Sequence, residues 1–326
     1  MVFKIEWERS EDSHDLPKNI IPEMLEAASL TTQVKKHHIV SGGCANLNIK
    51  LTLKGDTPPL ILRLYLRDKS AALREKKTGD LLQGIISAPK SYFIGTTGAF
   101  CFAITNFIPG ISLRNLLLGN ETYDLQEIMF EIGTLLFEMQ HIGFPETGFF
   151  DETLQVITPI NRKSYFTFAK ECLKKPTVSS QLPSETLFRL QHHFEEKKIL
   201  FPDKEEKHLV HGDFDPSNIF VHKVKNKWKI SGVLDWEFAY SGSTLGDIAT
   251  LLRYAHQMPP GFTSSFLRGL TDSGLDLPSN WSSTVHLLNL LSLLDFLGRY
   301  DPARYPKRIK DILCLMKHII SELDKV

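Results

Sequence analysis

His211, Asp213 and Asn218 stand in HGDFDPSNIF, residues 211–220, and Asp235 follows in VLDWE, seventeen residues beyond Asn218. Phosphoryl transfer requires such a set. One carboxylate orients an attacking hydroxyl and takes its proton, while an amide oxygen and a second carboxylate hold magnesium on a triphosphate. Asp213, Asn218 and Asp235 match those roles in that order. The competing explanation is a pair of Asx turns whose side chains satisfy only their own loops. His211 reads as a brace for the loop rather than a proton donor.

Residues with such roles need rigid elements behind them. Strand-like runs flank the loop at His208 to Val210, Ile219 to Val224 and Trp228 to Leu234. Upstream, Leu47, Ile49, Leu51 and Leu53 alternate with polar residues, as a half-buried strand requires. In LILRLYL, residues 60–66, the period of two puts Leu60, Leu62, Leu64 and Leu66 on one face and Arg63 on the other. Ala71 to Ile86 reads as a helix, with apolar runs after it at Tyr92 to Ile94 and Phe100 to Ile108, before Pro109-Gly110 breaks the pattern. Beyond that break the texture is helical: Tyr123 to Gln140, Tyr165 to Lys174, Glu185 to Lys198, Leu245 to His256, Trp281 to Tyr300 and Ala303 to Leu323. The expected fold class is therefore α+β. A small, mainly antiparallel β lobe, residues 1–108, joins a larger, mostly helical lobe, residues 109–326, with a cleft at the joint.

Composition limits the classes of function. Lysine plus arginine equals aspartate plus glutamate at 38 each, which leaves no global field for nucleic acid or an anionic membrane. The start, MVFKIEWERSEDSHD, is charged, and the most apolar run, Leu287 to Leu297, is too short to span a bilayer. Neither a signal peptide nor a membrane span is expected. The four cysteines form no C-x-x-C pair, which suits the cytoplasm and gives no zinc signature.

HGDFDPSN followed by GVLDWEFAYSGSTLGDIATLLR resembles the aminoglycoside phosphotransferase and choline kinase superfamily, whose fold is similar to that of protein kinases. SGGCAN, residues 41–46, resembles that family's nucleotide loop, ILRLY its ATP-contacting strand, the segment around Arg74-Glu75 its glutamate-bearing helix, and TNFIPGISL its hinge. The resemblance implies a two-lobed protein-kinase-like fold and transfer of the γ-phosphate of ATP or GTP to a hydroxyl. It implies nucleotide contacts at Ser41, Gly42, Gly43, Asn46, Arg63, Glu75, Asn106 and Ile108, a catalytic Asp213, and Mg2+ at Asn218 and Asp235. Two departures stand out. Arg63 takes the position usually held by lysine, as in choline kinase-like members, and its guanidinium still forks onto phosphate and pairs with Glu75. SGGCAN matches neither standard glycine-rich loop, so an ordinary hairpin turn competes with a phosphate cradle.

Two other functions compete with the kinase: a nucleotide-binding module without turnover, and a two-metal phosphoesterase, which would need more ligands than His211, Asp213 and Asp235. The acceptor stays open between an aminoglycoside-like compound and a choline-, ethanolamine-, sugar- or homoserine-type metabolite, and so do the choice of nucleotide and the oligomeric state. An amine-bearing acceptor, aminoglycoside-like or another amino alcohol, needs carboxylates near the transfer point. Asp215, Glu237 and Asp295 are the candidates. Asp215 and Glu237 face substrate or satisfy loop amides; Asp295 lines the pocket or forms a helix pair with Arg299. Asp247, in LGDIATLLR, either approaches the active site or, most simply for an acid at the start of an apolar helix, is a charge stabilised by the helix dipole. The pairs His37-His38 and His192-His193 read as solvated surface.

Overall fold

The structure, a computed structural model, describes residues 4, 7, 8, 16, 17, 19–40 and 46–325. The small lobe comprises helix α1 (Ile20–Ala27), strands β1 (Val34–Val40), β2 (Asn46–Leu53) and β3 (Leu60–Tyr65), helix α2 (Ala71–Leu81), and strands β4 (Ser91–Thr97) and β5 (Phe100–Asn106). Its strands form one antiparallel sheet in the order β1-β2-β3-β5-β4. The period of two sends Ile49, Leu51, Leu62, Leu64, Phe102 and Ile104 to one face, where α1 covers them with Ile20, Met24 and Leu25. Arg63 lies on the other face of the central strand, in register with Asn48 and Ala103.

The large lobe begins with β6 (Ile111–Ser112), α3 (Leu113–Leu118) and α4 (Leu125–Met139), and continues through β7 (Gly148–Phe150), β8 (Val156–Pro159), α5 (Arg162–Lys174), α6 (Pro176–Ser179) and α7 (Ser184–Glu196). Strands β9 (His208–Val210), β10 (Ile219–Val224), β11 (Lys227–Val233) and β12 (Tyr240–Gly242) carry the motif loops, and α8 (Leu245–Leu252), α9 (Phe262–Asp272), α10 (Trp281–Arg299) and α11 (Pro306–Leu323) complete the chain. The order β11-β10-β6 makes one small sheet and β8-β7-β12-β9 another. At the passage between lobes Gly110 has φ +113°, and a Cβ there would meet the Val221 carbonyl oxygen at 2.2 Å, so only glycine lets the chain cross so near β10.

Several element limits differ from the sequence pattern. Helix α2 ends at Leu81 rather than near Ile86, because Leu82 and Ile86 turn away to bury in the large-lobe core. Burial of each such side chain stabilises by about 1.5–3 kcal/mol, more than the propensity of one further helical turn. The last helix begins at Pro306 rather than Ala303, since proline is pre-set for the first helical position and lacks an N–H to bond further back. Helices α1 and α9 had no distinct signal: in FTSSFLRGLTD, serines and a glycine dilute a stripe in which Phe262, Phe266 and Leu270 are buried. His193 is 5 % exposed and meets Asp324 at 2.9 Å, so only His192 of that pair is solvated. Neighbours on a helix diverge, and here one turns inward. No helix among the described residues is long and apolar enough to cross a membrane.

Candidate active site

The loop from β9 to β10 and the turn after β11 are built on each other. Leu234 N–H donates to the Asn218 carbonyl at 2.9 Å, and His211 Nε2 meets the Leu234 carbonyl at 2.9 Å. The Asp213 N–H donates to His211 Nδ1 at 3.1 Å, which fixes the neutral tautomer with its proton on Nε2. Burial holds the His211 pKa down at about 4. The ring braces both loops, as expected, and does not carry a proton at neutral pH. Gly212, φ +80°, lets the loop turn where a Cβ would meet the Phe238 carbonyl oxygen at 2.4 Å.

Asp247 does more than charge a helix end. Fully buried in the first turn of α8, it accepts the His211 N–H at 2.8 Å and the Gly212 N–H at 3.0 Å, one on each oxygen. Burial pushes its carboxyl up to about 7. The simple helix-dipole reading therefore misses its main contact. The only sequence signal was an acid set between Leu245 and Ile248, where an unpaired one would be costly.

Asn218 Nδ2 donates to Asp213 twice, to its carbonyl at 2.9 Å and its Oδ2 at 3.0 Å. Burial raises the Asp213 carboxyl to about 6, with the neighbouring charges of Asp215 and Asp235 adding to the rise. Asp235 follows β11 in the left-handed region, φ 72° and ψ 59°, a conformation Asp adopts at a cost of roughly 1 kcal/mol and one that often marks functional turns. From the small lobe Arg63 reaches across: its Nη2 lies 2.5 Å from Asp235 Oδ1 and 3.1 Å from Glu75 Oε1. Glu75 also accepts the Tyr65 hydroxyl at 2.5 Å. Burial disfavours the Arg63 charge, but the Glu75 and Asp235 carboxylates outweigh it and hold the pKa above its ordinary value.

The remaining predicted residues divide. Asn46 is buried and donates to Glu237 Oε2 at 2.9 Å, tying β2 to the turn after β11; burial, with Asp235 nearby, raises the Glu237 carboxyl to about 7. Asn106 accepts the Lys90 N–H at 2.6 Å, and Ile108 is buried behind Gly232 at the hinge. Asp215 pairs with Lys4 at 2.8 Å and accepts the Ser217 N–H at 2.9 Å. Asp295 pairs with Arg299 at 2.6 Å on α10, the helix contact its spacing allowed. Ser41, Gly42 and Gly43 lie outside the described residues. Arg74, next to Glu75, was not singled out by the sequence: its Nε donates to the Glu237 carbonyl at 2.9 Å, so α2 is fastened to the large lobe beside the site.

Magnesium fits this donor set. With Nδ2 committed to Asp213, the Asn218 Oδ1 and the Asp235 carboxylate are the oxygens that would hold a cation: hard ligands both. Among the described residues no three His, Cys, Asp or Glu side chains gather as a metal cage. A magnesium held by one carboxylate, one amide oxygen and nucleotide phosphates needs no such cage. Among the described residues Arg63 Nε, itself buried, has no hydrogen-bond partner, and it is a donor suited to a phosphate oxygen.

Solved structures share this fold. The GDP complex of a point mutant of aminoglycoside 2'-phosphotransferase-IIIa superposes with TM-score 0.72 at 16 % identity, covering 94 % of this chain and 98 % of that one. A thermostable aminoglycoside phosphotransferase in ternary complex with AMP-PNP and hygromycin B gives 0.64 at 15 % identity, over 92 % and 98 %. Macrolide 2'-phosphotransferase MphH from Brachybacterium faecium gives 0.65 at 14 %, over 91 % and 98 %. No curated protein sequence matches the chain. The APH family model, Phosphotransferase enzyme family, matches residues 37–284, well over half of the sequence. The chain accordingly belongs to the phosphotransferase enzyme family.

Proposed function

We propose that the enzyme transfers the γ-phosphate of ATP or GTP to a hydroxyl of a small molecule, with Asp213 as the catalytic base. The observation that carries this is the meeting of Asp213, Asn218, Asp235 and Arg63, contributed by both lobes. Arg63, paired with Glu75, grips phosphate oxygens, and Asn46, Asn106 and Ile108 contact the nucleotide; the sequence motif assigns Ser41, Gly42 and Gly43, outside the described residues, to the same nucleotide. Asn218 and Asp235 hold magnesium, which when bound neutralises charge on the phosphates. Asp213 orients the acceptor hydroxyl and takes its proton as the oxygen bonds to the γ-phosphorus and the bond to the β-phosphate oxygen breaks, releasing the diphosphate. Solved relatives of this fold hold GDP or AMP-PNP, which supports a nucleoside triphosphate donor. We place the reaction in the cytoplasm.

Kanamycin and hygromycin B appear in complexes of two such relatives, which favours a polyhydroxylated acceptor of the amino-alcohol kind. The test is a screen of aminoglycosides, macrolides, amino alcohols, sugars and hydroxylated amino acids for acceptor-dependent ADP or GDP release, with the phosphorylated product identified by mass. Release that stays magnesium-dependent but needs no acceptor would reduce the reading to nucleotide binding with idle hydrolysis.

A further inference from the structure

Three carboxylates qualified as receivers of an acceptor's amine, and the chain engages each of them itself: Glu237 through Asn46, Asp295 through Arg299 and Asp215 through Lys4. The last pair stands beside the transfer point, because Asp215 follows Asp213 by two residues in one loop and its N–H donates to the Asp213 carbonyl at 2.8 Å. The Asp215 side chain is 3 % exposed and that of Lys4 19 %. Burial would raise the Asp215 carboxyl, but the Lys4 ammonium and the Ser217 bonds outweigh it and hold it below the usual range. Charge pairs so little exposed are screened far less than surface ones.

The described arm residues beside Lys4 are anchored independently. The Glu8 carboxylate accepts the N–H groups of Lys307 at 2.7 Å and Arg308 at 3.2 Å, donors that the first turn of α11 leaves without helical partners. Arg308 Nε returns a bond to the Glu8 carbonyl at 3.0 Å. Trp7 Nε1 donates to Asp311 Oδ2 at 2.8 Å, the oxygen that also receives the Tyr254 hydroxyl at 2.5 Å, and the Trp7 ring stands edge-on to Tyr300. The ammonium of Lys4 thus reaches Asp215 from a point fixed on α11.

We propose that Lys4 is a specificity-determining residue: a tethered cation that competes with any ammonium group of the acceptor for Asp215. The inference rests on the kinase reading only in placing the acceptor beside Asp213. An acceptor that carries an ammonium next to its reacting hydroxyl must displace Lys4, whereas one that is neutral there binds without that cost. Selection by charge follows from a repulsive element as much as from an attractive one.

The test titrates full-length protein, with ADP and magnesium present, by calorimetry. Two probes serve: kanamycin, a hydroxylated polycation, and ethanolamine, the smallest hydroxylated ammonium. Lys4→Gln is expected to tighten at least one probe by about tenfold, the scale of one lost ionic competitor. Lys4→Arg is expected to bind as the wild type does, and Lys4→Gln combined with Asp215→Asn to lose the gain. Unchanged or weaker binding of both probes by Lys4→Gln overturns the proposal. Acetylation of lysine amines, followed by mass spectrometry, gives a check that needs no acceptor. Lys4 should react more slowly than exposed Lys54, and lose that protection in Asp215→Asn. Equal rates for Lys4 and Lys54 in the wild type also overturn it. Failure of the kinase reading looks different, since Asp213→Asn would then turn over normally while these titrations kept their pattern.

Discussion

Asn218 grips Asp213 at two points, donating to its carbonyl at 2.9 Å and to its Oδ2 at 3.0 Å from one amide nitrogen. The second bond couples the proposed base to the residue proposed to hold magnesium. Asp213→Asn keeps the volume but removes both charge and proton acceptor. Turnover should fall by about 10²–10⁴-fold while nucleotide affinity stays within a few-fold of wild type. Near-normal phosphorylation of the screened acceptor by this variant removes Asp213 from the mechanism.

In the proposed mechanism the same carboxyl sets the acid limb of the pH profile. Burial raises Asp213 to about 6, and a base must be ionised to act. Turnover is therefore expected to be level above about pH 7 and to drop towards tenfold per unit below 6. His211, held down at about 4, stays neutral across that window and adds no second limb there. A profile flat down to pH 4.5 contradicts the assignment.

Asp235 and Arg63 meet at 2.5 Å across the two lobes, so in the proposed mechanism Asp235 serves both the cation and the guanidinium. Asp235→Ala should abolish magnesium-dependent tightening of nucleotide binding as well as turnover, because one carboxylate is the main charged ligand of the site. Calorimetric titration of nucleotide with and without magnesium measures this directly. Equal magnesium dependence in variant and wild type moves the metal elsewhere.

The loop of Asp213 and Asn218 was legible in the sequence because its spacing is local: four residues separate Asp213 from Asn218, and strand-like runs flank them. Alternation also gave β2 and β3 and put Arg63 opposite the leucine face. What escaped depends on distance along the chain. Arg63 and Asp235 are 172 residues apart, and Lys4 and Asp215 are 211 apart; no periodicity encodes such partners. Asp247 was visible as an acid in an apolar helix, yet its partners, the His211 and Gly212 amides, follow from the packing of α8 behind the loop. The early end of α2 has a similar cause, since the large-lobe core claims Leu82 and Ile86.

Asp247 gives a stability prediction. Asp247→Asn places an amide NH2 against one of two buried backbone N–H groups, His211 or Gly212, and leaves that donor unpaired. The cost is about 1–3 kcal/mol, read as a lower urea midpoint at unchanged slope. Turnover should also fall, because these amides set the path into Asp213. A fully stable variant with low activity would instead make Asp247 a reactive group.

Asp295 is the last acid to place. On sequence grounds it stood between an acceptor pocket and a helix pair, and α10 supplies the partner: Arg299 Nη2 at 2.6 Å, four residues on and in the order that also suits the helix dipole. The Arg299 side chain is 66 % exposed and that of Asp295 17 %, so much of this contact is open to water at one end. Exposed pairs of this kind contribute little. Asp295→Asn is therefore expected to lower stability by about 0.2–0.5 kcal/mol, with Arg299→Gln having a similar effect and the double variant adding almost nothing further. The Michaelis constant for the acceptor should stay unchanged in all three. A rise in that constant confined to Asp295→Asn, with Arg299→Gln silent, would turn the carboxylate back towards the pocket and give an acceptor amine a second anchor besides Asp215.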